Sequence, residues 1–110
     1  MKKSVDKIMM GKLLNSGQIC VSPDYVFVPE NKTNEFIEHA KSHVQENYPT
    51  IKNNPDYTSI IHLNHYDRLR ELVKDAESKG ATVVEINPAN EDLSQQEHHK
   101  ILPTLNFLKE

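Results

Sequence analysis

Cys20 is the only cysteine in the 110-residue chain and the side chain best suited to covalent chemistry. It follows residues 15–19, which read Asn-Ser-Gly-Gln-Ile, and lies between a pattern typical of a helix and a pattern typical of a strand. Rigid elements on both sides would position a nucleophile there, and its backbone amide could point at a substrate. The junction therefore suits acyl chemistry, in which a nucleophile attacks a carbonyl carbon.

The alternative for Cys20 is a purely structural role. The cysteine lies between Ile19 and Val21, and free cysteines are among the most buried residue types. An unassisted thiol with a pKa of ~8.5 is only a few per cent ionised at neutral pH. A reactive thiolate would need help from groups elsewhere, so the residues alone leave both roles open.

Two pairs of histidines are the next candidates for chemistry. His39 and His43 are four residues apart on a predicted helix, which is the spacing of a zinc-binding pair. That helix lacks the glutamate of a metalloprotease motif, and no third ligand is evident. His98 and His99 are adjacent, which is a poor spacing for a metal site. We therefore expect no metal site, and a solvated helix face at His39 and His43.

Residues 15–20 resemble the cysteine-bearing segment of the NAD(P)-dependent aldehyde dehydrogenases, where a helix ends in Asn-x-Gly-Gln-x-Cys and a strand follows. Residues 22–26, Ser-Pro-Asp-Tyr-Val, resemble the branch with the class 3 and coniferyl-aldehyde dehydrogenases. Residues 60–68 resemble the family's Ile-Ile-Asn-x-x-x-Phe-x-Arg run, and residues 101–105 resemble its Pro-Thr strand. The resemblance covers nearly all of the chain.

This resemblance implies a mechanism for an intact enzyme. The Cys20 thiolate would attack an aldehyde to give a thiohemiacetal, whose oxyanion the Cys20 amide and an upstream asparagine would stabilise. Hydride would pass to NAD or NADP, and water activated by an upstream glutamate would hydrolyse the thioester to the carboxylic acid. The branch suggests aromatic, coniferyl-type aldehydes. Asn15, Gly17 and Gln18 would shape the loop that presents Cys20.

The resemblance also predicts that residues 1–110 are a single fragment of a catalytic domain, because family members are several-fold longer. The Glu-Leu-Gly-Gly-Lys motif of the general base and the Glu-Glu-x-Phe-Gly-Pro motif are both absent. Gly11, Gly17 and Gly80 are too scattered for a dinucleotide-binding fingerprint. We therefore expect the isolated chain to be inactive, to bind no NAD or NADP, and to contain no cofactor-binding residue.

Two further functions remain open, namely a truncated, non-catalytic interaction domain and an unrelated small cytosolic domain with a redox-active thiol. Thirteen basic against sixteen acidic side chains give a net charge of −3, which offers no footprint for nucleic acid. No apolar run approaches the ~18 residues of a membrane helix, and no signal-peptide pattern occurs. We expect no nucleic-acid or membrane partner, and a cytoplasmic protein.

Alternating helix and strand patterns predict an α/β fold with an incomplete sheet. The predicted helices cover residues 4–15 and 32–47 and a third stretch from about Asn64 to Gly80, with Asn31 and Asn64 as N-caps and Gly80 at C′. The second helix should pack on the sheet. The predicted strands cover residues 21–28, 81–86 and 101–105, and residues 87–99 should form an exposed connection.

The incomplete sheet predicts self-association. Unpaired strand edges and exposed apolar faces favour pairing with another copy of the chain. Residues 25–28, Tyr-Val-Phe-Val, are four consecutive apolar residues of a predicted strand that has few charges to protect it. We therefore expect a homo-oligomer, formed as a dimer or by exchange of an element.

Overall fold

The computed structural model describes residues 1–96 and 98–108, in which three helices precede a two-stranded sheet. These elements are listed here in chain order: α1 at Lys2–Leu13, α2 at Thr33–Asn47, α3 at Leu63–Ser78, β1 at Thr82–Glu85 and β2 at Thr104–Phe107. The combination of helices with a sheet confirms the predicted α/β class. All three predicted helices are present, and each starts within two residues of its predicted start.

The hydrophobic core lies mainly between α1 and α2. Each helix buries one face at spacings of about four residues, as an amphipathic helix does. The buried side chains of the two helices are Val5, Met9 and Leu13 on α1, and Phe36, Ala40 and Val44 on α2. The predicted apolar face of α2 is therefore correct, but its predicted packing on a sheet is wrong. The complementary apolar stripe of α1 covers that face instead.

The two strands pair antiparallel, with Val84 opposite Leu105. The Ile86 amide extends the ladder by donating to the Pro103 carbonyl at 2.8 Å. Strand β1 lies within the predicted residues 81–86, whereas β2 begins three residues later than the predicted 101–105. Pro103 has no N–H to donate, so regular pairing starts after it.

The predicted strand at residues 21–28 is wrong. Residues 22–29 are irregular, and Tyr25, Val26 and Phe27 are exposed. Aromatic and β-branched residues favour a strand where a neighbouring strand completes the hydrogen bonds and packing. Within residues 1–96 and 98–108, no strand lies beside this segment. Its composition is therefore that of a strand while its backbone is not.

The two predicted N-caps are also wrong. A 3₁₀ turn at Glu30–Lys32 includes Asn31, and α2 has Lys32 at its N-cap. His62, in an extended conformation, is the N-cap of α3, which places Asn64 inside the first turn of that helix. The C-terminal prediction is confirmed, because Gly80 has a φ of +98° immediately after the Lys79 C-cap.

Two charged side chains hold the loop that follows α2 in place. Glu91 lies within the predicted connection 87–99, and Lys100 directly follows it. The Glu91 carboxylate accepts a hydrogen bond from the Ile51 amide at 2.6 Å. The buried Lys100 ammonium donates to the carbonyls of Ile51, at 3.1 Å, and Asn54, at 2.6 Å. Burial lowers the pKa of Lys100, and the nearby Glu91 carboxylate partly offsets this effect.

The predicted exposed connection is thus only partly exposed. The Leu93 side chain packs against the core, while Ser94 is exposed. Glu97, which also belongs to that prediction, lies outside the described residues. Among the described residues, no helix is both long enough and apolar enough to cross a membrane.

Candidate active site around Cys20

The backbone reverses its handedness just before the cysteine. A 3₁₀ turn at Leu14–Gly17 follows α1, and Asn15 and Ser16 in it both have a φ of +53°. Asparagine adopts this left-handed conformation with little difficulty, but serine does so rarely. Gly17 continues the run with a φ of +78°, which glycine adopts without a steric penalty. The left-handed run ends the direction of α1 and turns the chain toward Cys20.

Side chains on both sides of Gly17 tie this reversal to residues 58–61. The Ser16 hydroxyl donates a hydrogen bond to the Thr58 carbonyl. The Gln18 carboxamide donates through Nε2 to the Ser59 carbonyl at 3.0 Å, and its Oε1 accepts from the Ile61 amide at 3.0 Å. Because both ends of the carboxamide are paired across more than 40 residues of sequence, Gln18 connects two distant parts of the chain.

The cysteine lies at the tip of a tight turn. The Ser22 amide donates to the Ile19 carbonyl at 3.1 Å, so Cys20 and Val21 occupy the two central positions of a β-turn. Cys20 is exposed, and so is Val21. In this structure Cys20 is therefore not a buried apolar side chain. Within the described part of the chain, the Cys20 amide donates no hydrogen bond.

Residues 57–60 connect the cysteine turn to the core. Ile60 is buried, and its amide donates to the His99 carbonyl at 3.1 Å. The buried Tyr57 donates its hydroxyl proton to the Ile101 carbonyl at 2.5 Å. Its ring packs edge-on against Tyr48, with 5.5 Å between centroids, and burial raises the pKa of Tyr57. The segment that contains Ser59 and Ile61, the backbone partners of Gln18, is therefore itself held in place.

The predicted solvated face at His39 and His43 is wrong for His43. This side chain is buried, and its Nδ1 lies 3.4 Å from the Asp6 carboxylate of α1. His39 is partly exposed, with Nε2 3.7 Å from Glu35 of its own helix. The two histidines thus have different neighbours, because α1 packs on one side of α2.

A cleft of about 430 Å³ lies between α3, β1 and the residues before β2, away from the cysteine turn. Its lining includes Arg70, Lys74 and Glu77 of α3 and Glu85 of β1, so charges of both signs border it. None of residues 15–22 lines it. A dinucleotide site needs a glycine-rich turn opening onto a helix N-terminus, and the described residues around this cleft do not supply one. The residues described around this cleft therefore do not form a dinucleotide site.

Comparison with known proteins identifies the family to which the chain belongs. The model of the aldehyde dehydrogenase family matches residues 1–106 of the chain. This chain belongs to the aldehyde dehydrogenase family. The match covers α1, the cysteine turn and α3, as well as both strands through Asn106. The resemblance in the sequence is thus confirmed, along with the assignment to an oxidoreductase family.

Curated members of the aldehyde dehydrogenase family support the predicted branch. A probable coniferyl aldehyde dehydrogenase of Caulobacter vibrioides is 53% identical over 105 residues, which cover 96% of this chain and 22% of that protein. The coniferyl aldehyde dehydrogenase of a Pseudomonas species is 46% identical over 90% of this chain and 21% of its own length. Mouse aldehyde dehydrogenase family 3 member A2 is 39% identical over 62% of this chain and 14% of its own length.

The chain spans about a fifth of the length of the two coniferyl aldehyde dehydrogenases that it matches. No solved structure matches it. In aldehyde dehydrogenases generally, NAD or NADP is the oxidant and an aldehyde is the substrate. Cys20 as the nucleophile remains a prediction, since the match identifies the family and not the role of a residue.

One part of the candidate site is not predicted by the sequence pattern. Asn15, Gly17 and Gln18 lie in the loop, as the resemblance predicts, but the resemblance assigns no role to Ser16. A serine between asparagine and glycine at a helix end could have indicated a hydrogen-bonded turn. The partners at Thr58, Ser59 and Ile61 contribute only backbone atoms, so residue types carry no signal for them.

Proposed function

We propose that this chain contributes the nucleophilic cysteine, Cys20, to an aldehyde dehydrogenase that oxidises an aromatic, coniferyl-type aldehyde to the acid. The observation that carries the proposal is the exposed thiol at the tip of a turn held at fixed points. Its support is the similarity to two coniferyl aldehyde dehydrogenases. We infer a cytoplasmic location from the sequence pattern alone.

This chain supplies the nucleophile and one hydrogen-bond donor for the first chemical step. The Cys20 thiolate sulfur bonds to the aldehyde carbonyl carbon, and the π electron pair of the carbonyl moves to oxygen. The product is a thiohemiacetal oxyanion. The Cys20 amide, which has no partner within the described residues, is available to donate to that oxygen. One such donor changes the rate of acyl chemistry by about 10²–10³-fold.

The family cofactor would accept the hydride when it is bound elsewhere in the enzyme. No residue of this chain is assigned to that step, because the cleft beside α3 does not fit a dinucleotide. We predict that the 110-residue chain alone shows no saturable NAD or NADP binding. Titration calorimetry measures this directly, and binding at micromolar affinity would contradict the prediction.

The test of Cys20 uses the protein that the gene containing this chain encodes. Aldehyde oxidation is followed as formation of reduced nicotinamide, with coniferyl aldehyde as substrate and Cys20→Ala as the variant. We expect Cys20→Ala to lower kcat by at least about 10⁴-fold, because removal of a covalent nucleophile abolishes the covalent route. A Cys20→Ala variant with wild-type kcat would overturn the proposal.

Gln45→Ala is the control for that experiment. Gln45 is exposed on α2 and makes no side-chain hydrogen bond within the described residues. We expect wild-type kcat and KM for this variant. An equal loss in both variants would indicate damage to the fold and not to the nucleophile.

The redox-thiol alternative makes a different prediction for the isolated chain. Fast alkylation of Cys20 at pH values well below those of an ordinary thiol would favour an independent redox role. Alkylation at an ordinary rate agrees with a nucleophile that is activated only in a larger protein. Because the chain has one cysteine, the measured rate belongs to Cys20 alone.

We also propose that the isolated chain self-associates through residues 21–28. Val21 and Phe27 are more than four-fifths exposed, at 83% and 86%, and contiguous apolar surface favours association. Equilibrium sedimentation should show a dimer, and a clean monomer of 12.7 kDa at concentrations up to roughly 100 µM would contradict this. Phe27→Lys should restore the monomer, because burial of an unpaired ammonium is unfavourable. Exposure of Phe27 makes unfolding of that variant unexpected.

A further inference from the structure

The Gln18 carboxamide is the most fully paired side-chain group beside the cysteine. Its Oε1 accepts from the Ile61 amide, while Nε2 donates to the Ser59 carbonyl and also to the Asn15 carbonyl at 3.0 Å. The Asn15 side chain donates back to the Gln18 carbonyl at 3.2 Å. One side chain thus binds three backbone groups in two segments, Asn15 immediately before the turn that carries the thiol and residues 59–61.

The hydrophobic effect gives this turn little support. Cys20 and Val21 are exposed, Ile19 is half-buried, and the next residues form no strand. A segment with few buried apolar contacts opens at little cost in free energy. Hydrogen bonds therefore decide where the turn lies, and those of Gln18 are two residues from the thiol.

The receiving segment is anchored well enough to act as a reference. Ser59 and Ile61 flank the buried Ile60, whose amide is bonded to the His99 carbonyl at 3.1 Å. Because this segment is itself anchored, hydrogen bonds to it can hold the cysteine turn in one position. Two mobile segments bonded to each other would move together.

We infer that Gln18 is a positioning residue for Cys20: its carboxamide, paired with the backbone of Ser59 and Ile61, fixes the turn that presents the thiol. This inference rests on the proposed nucleophilic role of Cys20. It assigns Gln18 no contact with the substrate. A nucleophile that is displaced by about 1 Å can lose on the order of 10²-fold in rate, so a fixed turn raises kcat and leaves KM nearly unchanged.

The first test places a nitroxide label on Cys20, the only cysteine of the 110-residue chain, and records label mobility by electron paramagnetic resonance at a concentration where the chain is monomeric. Gln18→Met keeps the length of the side chain and removes all of its hydrogen bonds. We expect a mobile label in Gln18→Met and a restrained one in the wild type. Gln45→Met, the same change on the exposed face of α2, should leave the spectrum unchanged.

Gln18→Glu provides a rescue that packing alone could not produce. An ionised carboxyl only accepts hydrogen bonds, so it repels the Ser59 carbonyl, whereas a protonated carboxyl can donate to Ser59 and accept from Ile61. The label should therefore be mobile in Gln18→Glu at neutral pH and become restrained below about pH 4, near the ordinary pKa of glutamate. The wild type should show no such change.

The second test measures kinetics in the protein that the gene encodes. Gln18→Met should lower kcat between about 10-fold and 100-fold, with KM within about threefold of the wild type. Unchanged label mobility in both Gln18 variants would overturn the inference, even if Cys20→Ala proves Cys20 essential. Conversely, a mobile label in Gln18→Met together with an active Cys20→Ala variant would overturn only the proposed function. If Gln18→Met fails to fold by circular dichroism, the pH-dependent rescue in Gln18→Glu decides the matter.

Discussion

Two regions of the molecule bury the same residue types to opposite extents. Between α1 and α2, Phe36 is 4% exposed and Val44 is fully buried. In contrast, α3 has no buried residue, and Phe27 in the irregular segment 22–29 is 86% exposed. The difference teaches that composition alone does not decide burial, since an apolar side chain needs a facing element to be covered. The cysteine turn lies where the packed region ends.

The largest expected effect is on stability, when phenylalanine is replaced by alanine in each of the two regions. Phe36→Ala should lower the free energy of unfolding by about 3–5 kcal/mol, because it removes a buried ring and leaves a cavity. Phe27→Ala should change it by less than about 0.5 kcal/mol, as exposed sites do. Urea denaturation of both variants, at a concentration where the chain is monomeric, measures the pair. Equal losses would show that residues 21–28 are packed in solution.

The second comparison concerns two lysines. Lys100→Met should cost about 1–3 kcal/mol, because the carbonyls of Ile51 and Asn54 lose a charged donor. Lys74→Met on α3 should cost less than about 0.5 kcal/mol, since its pair with Glu71 is at the surface. Thermal unfolding followed by circular dichroism compares them. A Lys100→Met variant as stable as the wild type would mean that its hydrogen bonds are balanced by the cost of burying the ammonium.

The third comparison uses two tyrosines and a single oxygen atom. Tyr57→Phe should lower the free energy of unfolding by about 1 kcal/mol, because the hydrogen bond to Ile101 is lost. Tyr25→Phe should have no measurable effect, since Tyr25 is exposed and makes no side-chain hydrogen bond within the described residues. Chemical denaturation resolves this difference. A neutral Tyr57→Phe would exclude the Ile101 carbonyl as an energetic partner.

The smallest expected effect is a dependence of stability on pH that arises from Asp6 of α1. The hydrogen bond from Lys2, with a further contribution from His43, lowers the pKa of Asp6 below its ordinary 3.8. A carboxyl whose folded-state pKa is lowered stabilises the fold above the ordinary value, and this contribution is lost as the pH falls below it. Asp6→Asn should therefore flatten the acid side of the stability profile, more clearly at low salt. Profiles of equal slope would show that Asp6 contributes nothing.

Local signals allowed much of the fold to be predicted. The three helices follow from their 3.6-residue periodicity, and Gly80 follows from the need for a left-handed residue after α3. The errors share a cause. The strand at residues 21–28, the packing of α2 and the start of β2 all depend on which element lies opposite, and propensity does not contain that information.

The candidate site divides in the same way. Cys20, Gly17 and the nearby helix end could be placed from residue types and from the family resemblance. The contacts of Ser16 and Gln18 could not, because each crosses about 40 residues of sequence to reach a backbone atom. Every residue offers a carbonyl, so no sequence pattern distinguishes Thr58 or Ser59 as a partner.

The left-handed run at Asn15, Ser16 and Gly17 has a consequence for how this chain can vary among relatives. An inserted residue in α1 rotates everything after it by about 100°, since an α-helix has 3.6 residues per turn. The three left-handed residues cannot compensate for that rotation without breaking the hydrogen bonds to the carbonyls of Thr58 and Ser59. The distance in sequence from Val5, the first buried residue of α1, to Cys20 should therefore be constant among functional relatives, while insertions accumulate in exposed loops elsewhere.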